Sequence, residues 1–334
     1  MTLMRLLAEN REFDAEYGDG LSNHLSMALI ALARLGATDE RVQEYFDFYR
    51  RRLDPLRAPV MAVTRANWRE GLGTHRHYCA YLKFFIECAE RGGWRAMMQE
   101  FLPALLPGLA AGSFHALIRL AYGIEAEDSH EVAAGVAYLA SRYLPLGEPG
   151  GEAPASDDPA ELLERLAHQP GFNHPWPQRG LITERMRDVA DCAAFRGVID
   201  RLTVNPHNLQ RLARCAIQRY AQTRDFTALH LVTGTHALRV ALPHVLEQAE
   251  AVRQFWQAFA AAYLSIGLPV AAIDAPDDAA ESGQDAGWEE IARLAVGSSN
   301  DHVIKLVYSC REEDRVYADP LYRAVAQREV GIGA

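Results

Sequence analysis

Apolar residues along the chain recur every three to four positions, the period of a helix with one buried face. In LSNHLSMALIALARLG (21–36) the stripe is Leu25, Leu29 and Leu32, filled in by Met27 and Ile30, with Gly36 as a stop signal. In 39–53 it is Val42, Tyr45, Phe46, Tyr49 and Leu53. The same period runs through 77–93, which ends in a glycine pair, and through 113–126, 131–144, 160–169 and 207–222. It continues through 226–264, 301–313 and 320–330. Period-two alternation is scarce, so few or no strands are expected. The pattern predicts a mainly α protein: one helical, bundle-like domain over 1–334. Two segments rich in Gly, Pro and acids, 146–160 and 274–287, read as flexible connectors. The longest uncharged stretch, 255–273, is diluted by alanine and broken by Gly267 and Pro269, so it reads as a buried helix and a connector, not a membrane span.

Composition narrows the function. Of 334 residues, 49% are hydrophobic and 23% charged, as in ordinary globular proteins. The net charge is −10, from 34 basic and 44 acidic residues. An acidic chain without long basic runs is unsuited to gripping phosphate backbones, which argues against nucleic acid. Five scattered cysteines without a CxxC pair fit reduced thiols. The N-terminal sequence lacks a signal-peptide core, and a cytoplasmic location is expected. Only two of the basic residues are lysines, Lys83 and Lys305.

Lys305 stands out because it enters an apolar helical run beside His302. Positions i and i+3 share a helix face, and burial should depress the amine's pKa. A neutral amine can act as a base, form an imine, or take up carbon dioxide to give a carbamate, a carboxylate-like metal ligand. A snorkelling lysine paired with Asp301 or Glu312 is the plainer alternative. Of the twelve histidines, five sit in or at the mouth of apolar helices: His24, His115, His230, His236 and His302. Neutral imidazole is the usual nitrogen ligand of iron, zinc and copper. His230 and His236 are six residues apart, about 600° of rotation, and cannot both face one metal from a straight helix. His230 is favoured, because Thr233, Gly234 and Ala237 on its face leave room for a ligand; His236 is the alternative.

SNHLSMALIALARLGA, HYCAYLKFFIE, SFHALIRLAYGIEA, LHLVTGTHALRVALP and DHVIKLVYSC, in this order, resemble the questin oxidase-like family from about residue 14 to 325. The resemblance implies oxidases that open the ring of anthraquinone-type compounds. It also implies NADPH, from descriptions of Baeyer–Villiger-type members, and non-haem iron held by histidines and a carboxylated lysine in another member. Carried over, the ligands are His24, His115, His230, His302 and Lys305. The chain departs at Arg119, where fungal members tend to carry a further histidine.

Four imidazoles and a carbamate suit Fe(II) better than Mg²⁺ or Ca²⁺. The expected activity is that of an oxygenase using dioxygen on an aromatic polyketide- or quinone-like molecule. Arg119 and Tyr122 are candidate catalytic residues. Arg239 is a further partner for a substrate anion, and Phe114, Tyr81, Trp256 and Tyr308 are candidate pocket walls. A dinucleotide site has no sequence support, since GLAAGS (108–113) and GEPGGE (147–152) do not make GxGxxG. The alternatives are a zinc hydrolase using the same histidines and a non-catalytic helical binding module.

Overall fold

The computed structural model describes residues 2–151, 153–174, 176–267 and 287–332. Among them the chain forms α1 (Thr2–Asn10), α2 (Leu25–Arg34), α3 (Asp39–Tyr49), α4 (Tyr78–Gly92), α5 (Trp94–Leu105), α6 (His115–Glu125), α7 (Ser129–Ser141) and α8 (Pro159–Ala167). There follow α9 (Ile182–Asp191), α10 (Val198–Arg201), α11 (Asn208–Thr223), α12 (Phe226–Ala241), α13 (Gln248–Ser265), α14 (Trp288–Gly297), α15 (Asp301–Tyr317) and α16 (Pro320–Glu329). The described strands are β1 (Glu16–Tyr17) and β2 (Leu21–Ser22), a minimal antiparallel pair. The protein is mainly α, as the periodicity predicts.

The helices begin where the sequence places capping side chains. Thr38 accepts the Arg41 amide, Asp128 the amides of His130 and Glu131, and Asp225 those of Thr227 and Ala228. Asn300 does the same for α15, accepting the His302 amide. The single apolar run 226–264 divides into α12 and α13 because Pro243 lacks an amide hydrogen and sits in a tight turn, Leu242–His244. Helices α1, α5, α9, α10 and α14 arise where no element was predicted. The described residues of 146–158 form no helix, and α8 starts at Pro159 behind the Asp158 cap. The second connector, 274–287, lies outside the described residues except for Gly287. No helix among the described residues is long and apolar enough to cross a membrane.

One apolar core runs from Leu6 to Ala326. Its tightest seam joins α6 and α7. A Cβ on Gly123 would lie 2.6 Å from the Val132 nitrogen, and one on Gly135 would lie 2.5 Å from the Leu120 Cα. Each glycine thus admits the other helix's backbone, bringing α6 close enough for Arg119 to reach Glu131 on α7. Because neither backbone can yield cheaply, Gly135→Ala is expected to lower stability by about 1–3 kcal/mol, read as a lower urea midpoint at unchanged slope.

Three helix starts carry the histidines of interest. His24 is the residue before α2, His115 opens α6, and Asp301 and His302 open α15. Helix α12 packs against α6 and α15, and α15 packs against α2. His230, one turn into α12, is thereby brought to the other three.

Candidate metal centre

The four histidine rings form a closed circuit. His24 stacks on His115 with centroids 4.6 Å apart, His115 meets His230 at 4.6 Å, His230 meets His302 at 5.8 Å, and His302 returns to His24 at 4.8 Å. Phe226 caps His230 and His302, with its ring 4.6 and 4.7 Å from theirs. Phe114 takes a left-handed conformation, φ 70°, immediately before His115. Its ring lies over Gly234, where a Cβ would come within 3.1 Å of it. The space that Gly234 leaves beside His230 is therefore filled by Phe114, and it fixes the turn that presents His115. It does not hold a ligand.

Hydrogen bonds fix the tautomers of three of the four rings. His115 Nδ1 donates to the Gly112 carbonyl, and His230 Nδ1 donates to the Phe226 carbonyl at 2.7 Å. His24 Nδ1 donates to Asp301 Oδ2, and His302 Nδ1 lies 3.2 Å from the same oxygen. Carbonyls and an ionised carboxylate only accept, so in the neutral rings of His24, His115 and His230 the hydrogen is on Nδ1 and the lone pair on Nε2. The Nε2 atoms of His24 and His302 are buried without a hydrogen-bond partner. Those of His115 and His230 face each other at 3.1 Å.

Electrostatics keeps the rings neutral. Burial, then the Lys305 charge, lowers His24 to about 4, and burial holds His230 at about 3. Burial and the neighbouring imidazoles put His115 well below its ordinary value, and burial with Lys305 does the same to His302. The positive ends of α2, α6 and α15 act in the same direction. Lys305, on α15, is 2% exposed and is lowered to about 8 by burial, with Asp301 opposing. Its Nζ is 4.0 Å from Asp301 Oδ2. Burial alone would raise Asp301, but the hydrogen bond from His24 and the charge of Lys305 hold its carboxyl far below the usual range.

Two lone pairs aimed at each other 3.1 Å apart repel unless a cation lies between them. Metal–nitrogen bonds of about 2.1 Å meeting at a right angle put the nitrogens about 3.0 Å apart, and a tetrahedral angle gives about 3.4 Å. The spacing therefore suits neighbouring positions of an octahedral ion. His24, Asp301 and His302 also place ligand atoms within 4.8 Å of one another. The His115–His230 pair and the His24–Asp301–His302 group each have spacing that fits a bound metal.

A cavity of about 560 Å³ opens onto His24, His115, Asp301 and His302. The other candidate residues lie away from it. Arg119 is 1% exposed and donates to both Glu131 oxygens, at 3.1 and 3.3 Å, and to the Tyr78 hydroxyl. It is a buried ion pair across the α6–α7 seam and does not line the cavity. Tyr122 packs against Tyr308 and His236, and it too is away from the cavity. Phe114, Tyr81, Trp256 and Tyr308 are core side chains. Arg239 is engaged by Glu313 at 2.7 Å. His236, fully buried, lies between Glu313 at 2.7 Å and Glu125 at 3.5 Å. It faces a separate polar cluster, as its angular offset from His230 requires. The residue the sequence reading underused is Asp301, which holds two imidazoles and lies beside Lys305. Its signal is its place in D-H-x-x-K, where i, i+1 and i+4 meet at one helix start.

A helical scaffold gathers four imidazoles, a carboxylate and a buried lysine beside a cavity, a candidate metal site. The chain matches the Questin oxidase-like family over residues 21–310 and belongs to it. It is 25% identical over 342 residues to a Baeyer–Villiger oxidase of Pestalotiopsis microspora, covering 88% of this chain and 76% of that one. It is 25% identical over 347 residues to a questin oxidase of Aspergillus terreus, covering 88% and 75%. A Baeyer–Villiger oxidase of Paecilomyces divaricatus is 26% identical over 181 residues, half of this chain and only 36% of that protein.

Proposed function

We propose that this oxidoreductase is an iron-dependent oxygenase acting on an aromatic polyketide- or quinone-like small molecule, with cleavage of a ring as the outcome. The observation that carries the metal is the cluster of four imidazoles, three of which commit their Nδ1 hydrogens to oxygens, with the His115 and His230 Nε2 atoms facing each other at 3.1 Å and those of His24 and His302 buried without a partner. The oxidase names of the relatives support the reaction class.

The Nε2 atoms of His24, His115, His230 and His302 would hold the iron, with a carbamate of Lys305 as the anionic ligand. Bound iron supplies the redox chemistry by which dioxygen reacts with an electron-rich ring. The chain's own residues do the rest. The Lys305 amine, lowered to about 8, is partly neutral at physiological pH. It can add to carbon dioxide, forming the N–C bond and releasing one proton. Asp301 orients His24 and His302 and keeps their Nε2 atoms unprotonated. Phe226 shields one side of the site from water, and the cavity admits the substrate.

Removing the orienting carboxylate tests this arrangement short of removing a ligand. Asp301→Asn is expected to weaken iron binding about 10- to 100-fold, measured by competition with a chelator. Unchanged affinity would show that Asp301 does not set the tautomers. The function is tested by iron analysis of anaerobically purified protein, followed by oxygen uptake with a panel of quinols and anthraquinones, with and without NADPH. Stoichiometric iron and substrate-dependent oxygen uptake support the reading. Zinc in place of iron, with hydrolysis and no oxygen uptake, contradicts it, as does protein that binds no metal.

A further inference from the structure

The cavity wall has an unbalanced charge. Three acids line it, and each is already engaged. Glu16 accepts from Arg142 and from the Tyr138 hydroxyl, Glu184 accepts the Leu181 amide, and Asp301 serves the histidines. Of the lining arginines, Arg142 is held by Glu16 and Arg185 by Gln178 and Thr227. Arg52 and Arg187 line the same cavity and pair with no carboxylate among the described residues.

Arg52 is also held in place. It closes the run Arg50–Arg52 after α3, in which Arg50 is taken by Asp47 at 3.3 Å. The Arg52 guanidinium stacks over Tyr49 at 4.4 Å and Phe48 at 5.1 Å from the ring centres. Stacking fixes the plane of the fork while leaving its N–H groups free, the arrangement suited to a planar carboxylate. The Tyr49 hydroxyl beneath it accepts the His24 amide at 3.3 Å, so the cation stands one ring away from the histidine set. Arg119 and Arg239, the arginines that sequence alone favours for this task, are both consumed by glutamates.

We propose that Arg52, assisted by Arg187, receives a carboxylate borne by the aromatic substrate and so orients its ring toward the histidines. The proposal rests on the reading of this cavity as the aromatic-substrate site. It narrows the substrate class to ring-bearing carboxylic acids.

The test compares anthraquinone-2-carboxylate with its uncharged methyl ester, titrated calorimetrically into iron-loaded, full-length protein without oxygen. Wild type should bind the acid at least about tenfold more tightly than the ester, with the preference shrinking as salt rises. In R52Q/R187Q the preference should fall to within about twofold, with the ester's affinity and the thermal midpoint unchanged. R52K, which keeps the charge and loses the fork, should fall between. Equal binding of acid and ester by wild type, a preference that survives in R52Q/R187Q, or binding of neither compound would overturn the proposal. The readout is binding, so loss of oxygen uptake with the acid preference intact would instead count against the oxygenase reading.

Discussion

Lys305→Arg is expected to abolish iron binding and turnover together, with iron affinity falling by more than about 100-fold. Arginine keeps the positive charge, but it stays protonated in proteins and cannot form a carbamate. Lys305→Met, which removes the charge and approximates the length, should lose iron equally. Agreement between the two variants separates loss of the ligand from loss of the charge, and unchanged thermal midpoints of the metal-free proteins exclude misfolding. A linked expectation concerns carbon dioxide. Metal-free wild type reloaded with Fe(II) in buffer stripped of carbon dioxide should take up less iron than in bicarbonate, and Lys305→Arg should not respond. Full iron binding by Lys305→Arg would refute the carbamate.

The second large effect is on stability and arises at the buried cluster away from the cavity. Glu313 is 1% exposed and accepts from His236 Nδ1 and Arg239 Nε, both at 2.7 Å. Glu313→Ala removes one partner and leaves the other charges buried and uncompensated, at about 3–5 kcal/mol. The same cluster predicts the pH dependence. Burial alone would depress His236, but Glu125 and Glu313 outweigh it and raise it from an ordinary 6.5 to about 9. A pKa raised in the folded state contributes stability that is fully present below 6.5 and is lost as pH rises to about 9. Urea midpoints should therefore decline across that window by the equivalent of about 2–3 kcal/mol. His236→Gln should flatten the decline. A midpoint that rises between those pH values, or an unaltered profile in His236→Gln, would show that His236 is not held as a cation.

The helices and most of the histidine cluster were legible in the sequence because both depend on local order. The period of apolar positions is a property of each segment, and His24, His115 and His302 announce themselves as histidines at the heads of apolar helices. The offset between His230 and His236 follows from helix geometry alone, and the structure places the two in different clusters. What was not legible depends on partners far along the chain. Arg119 reads as a free cation until α7 brings Glu131 against it through the Gly123–Gly135 seam. Arg52 reads as one of three consecutive surface arginines until Tyr49 is seen to hold it beside His24. Gly234 reads as empty space until Phe114, 120 residues earlier, fills it. Asp301 was in view only as a lysine's partner, because its bond to His24 spans 277 positions. The division of 226–264 at Pro243 was a local signal and could have been read.

The central claim is that iron is held by four Nε2 atoms and a modified Lys305. It is tested most directly by diffraction from iron-loaded crystals, grown with bicarbonate and measured on both sides of the iron absorption edge. The account predicts one anomalous peak within about 2.2 Å of the Nε2 atoms of His24, His115, His230 and His302, with added density on the Lys305 amine reaching it. No peak among these nitrogens, or an iron bound there with an unmodified Lys305 turned away, would contradict it.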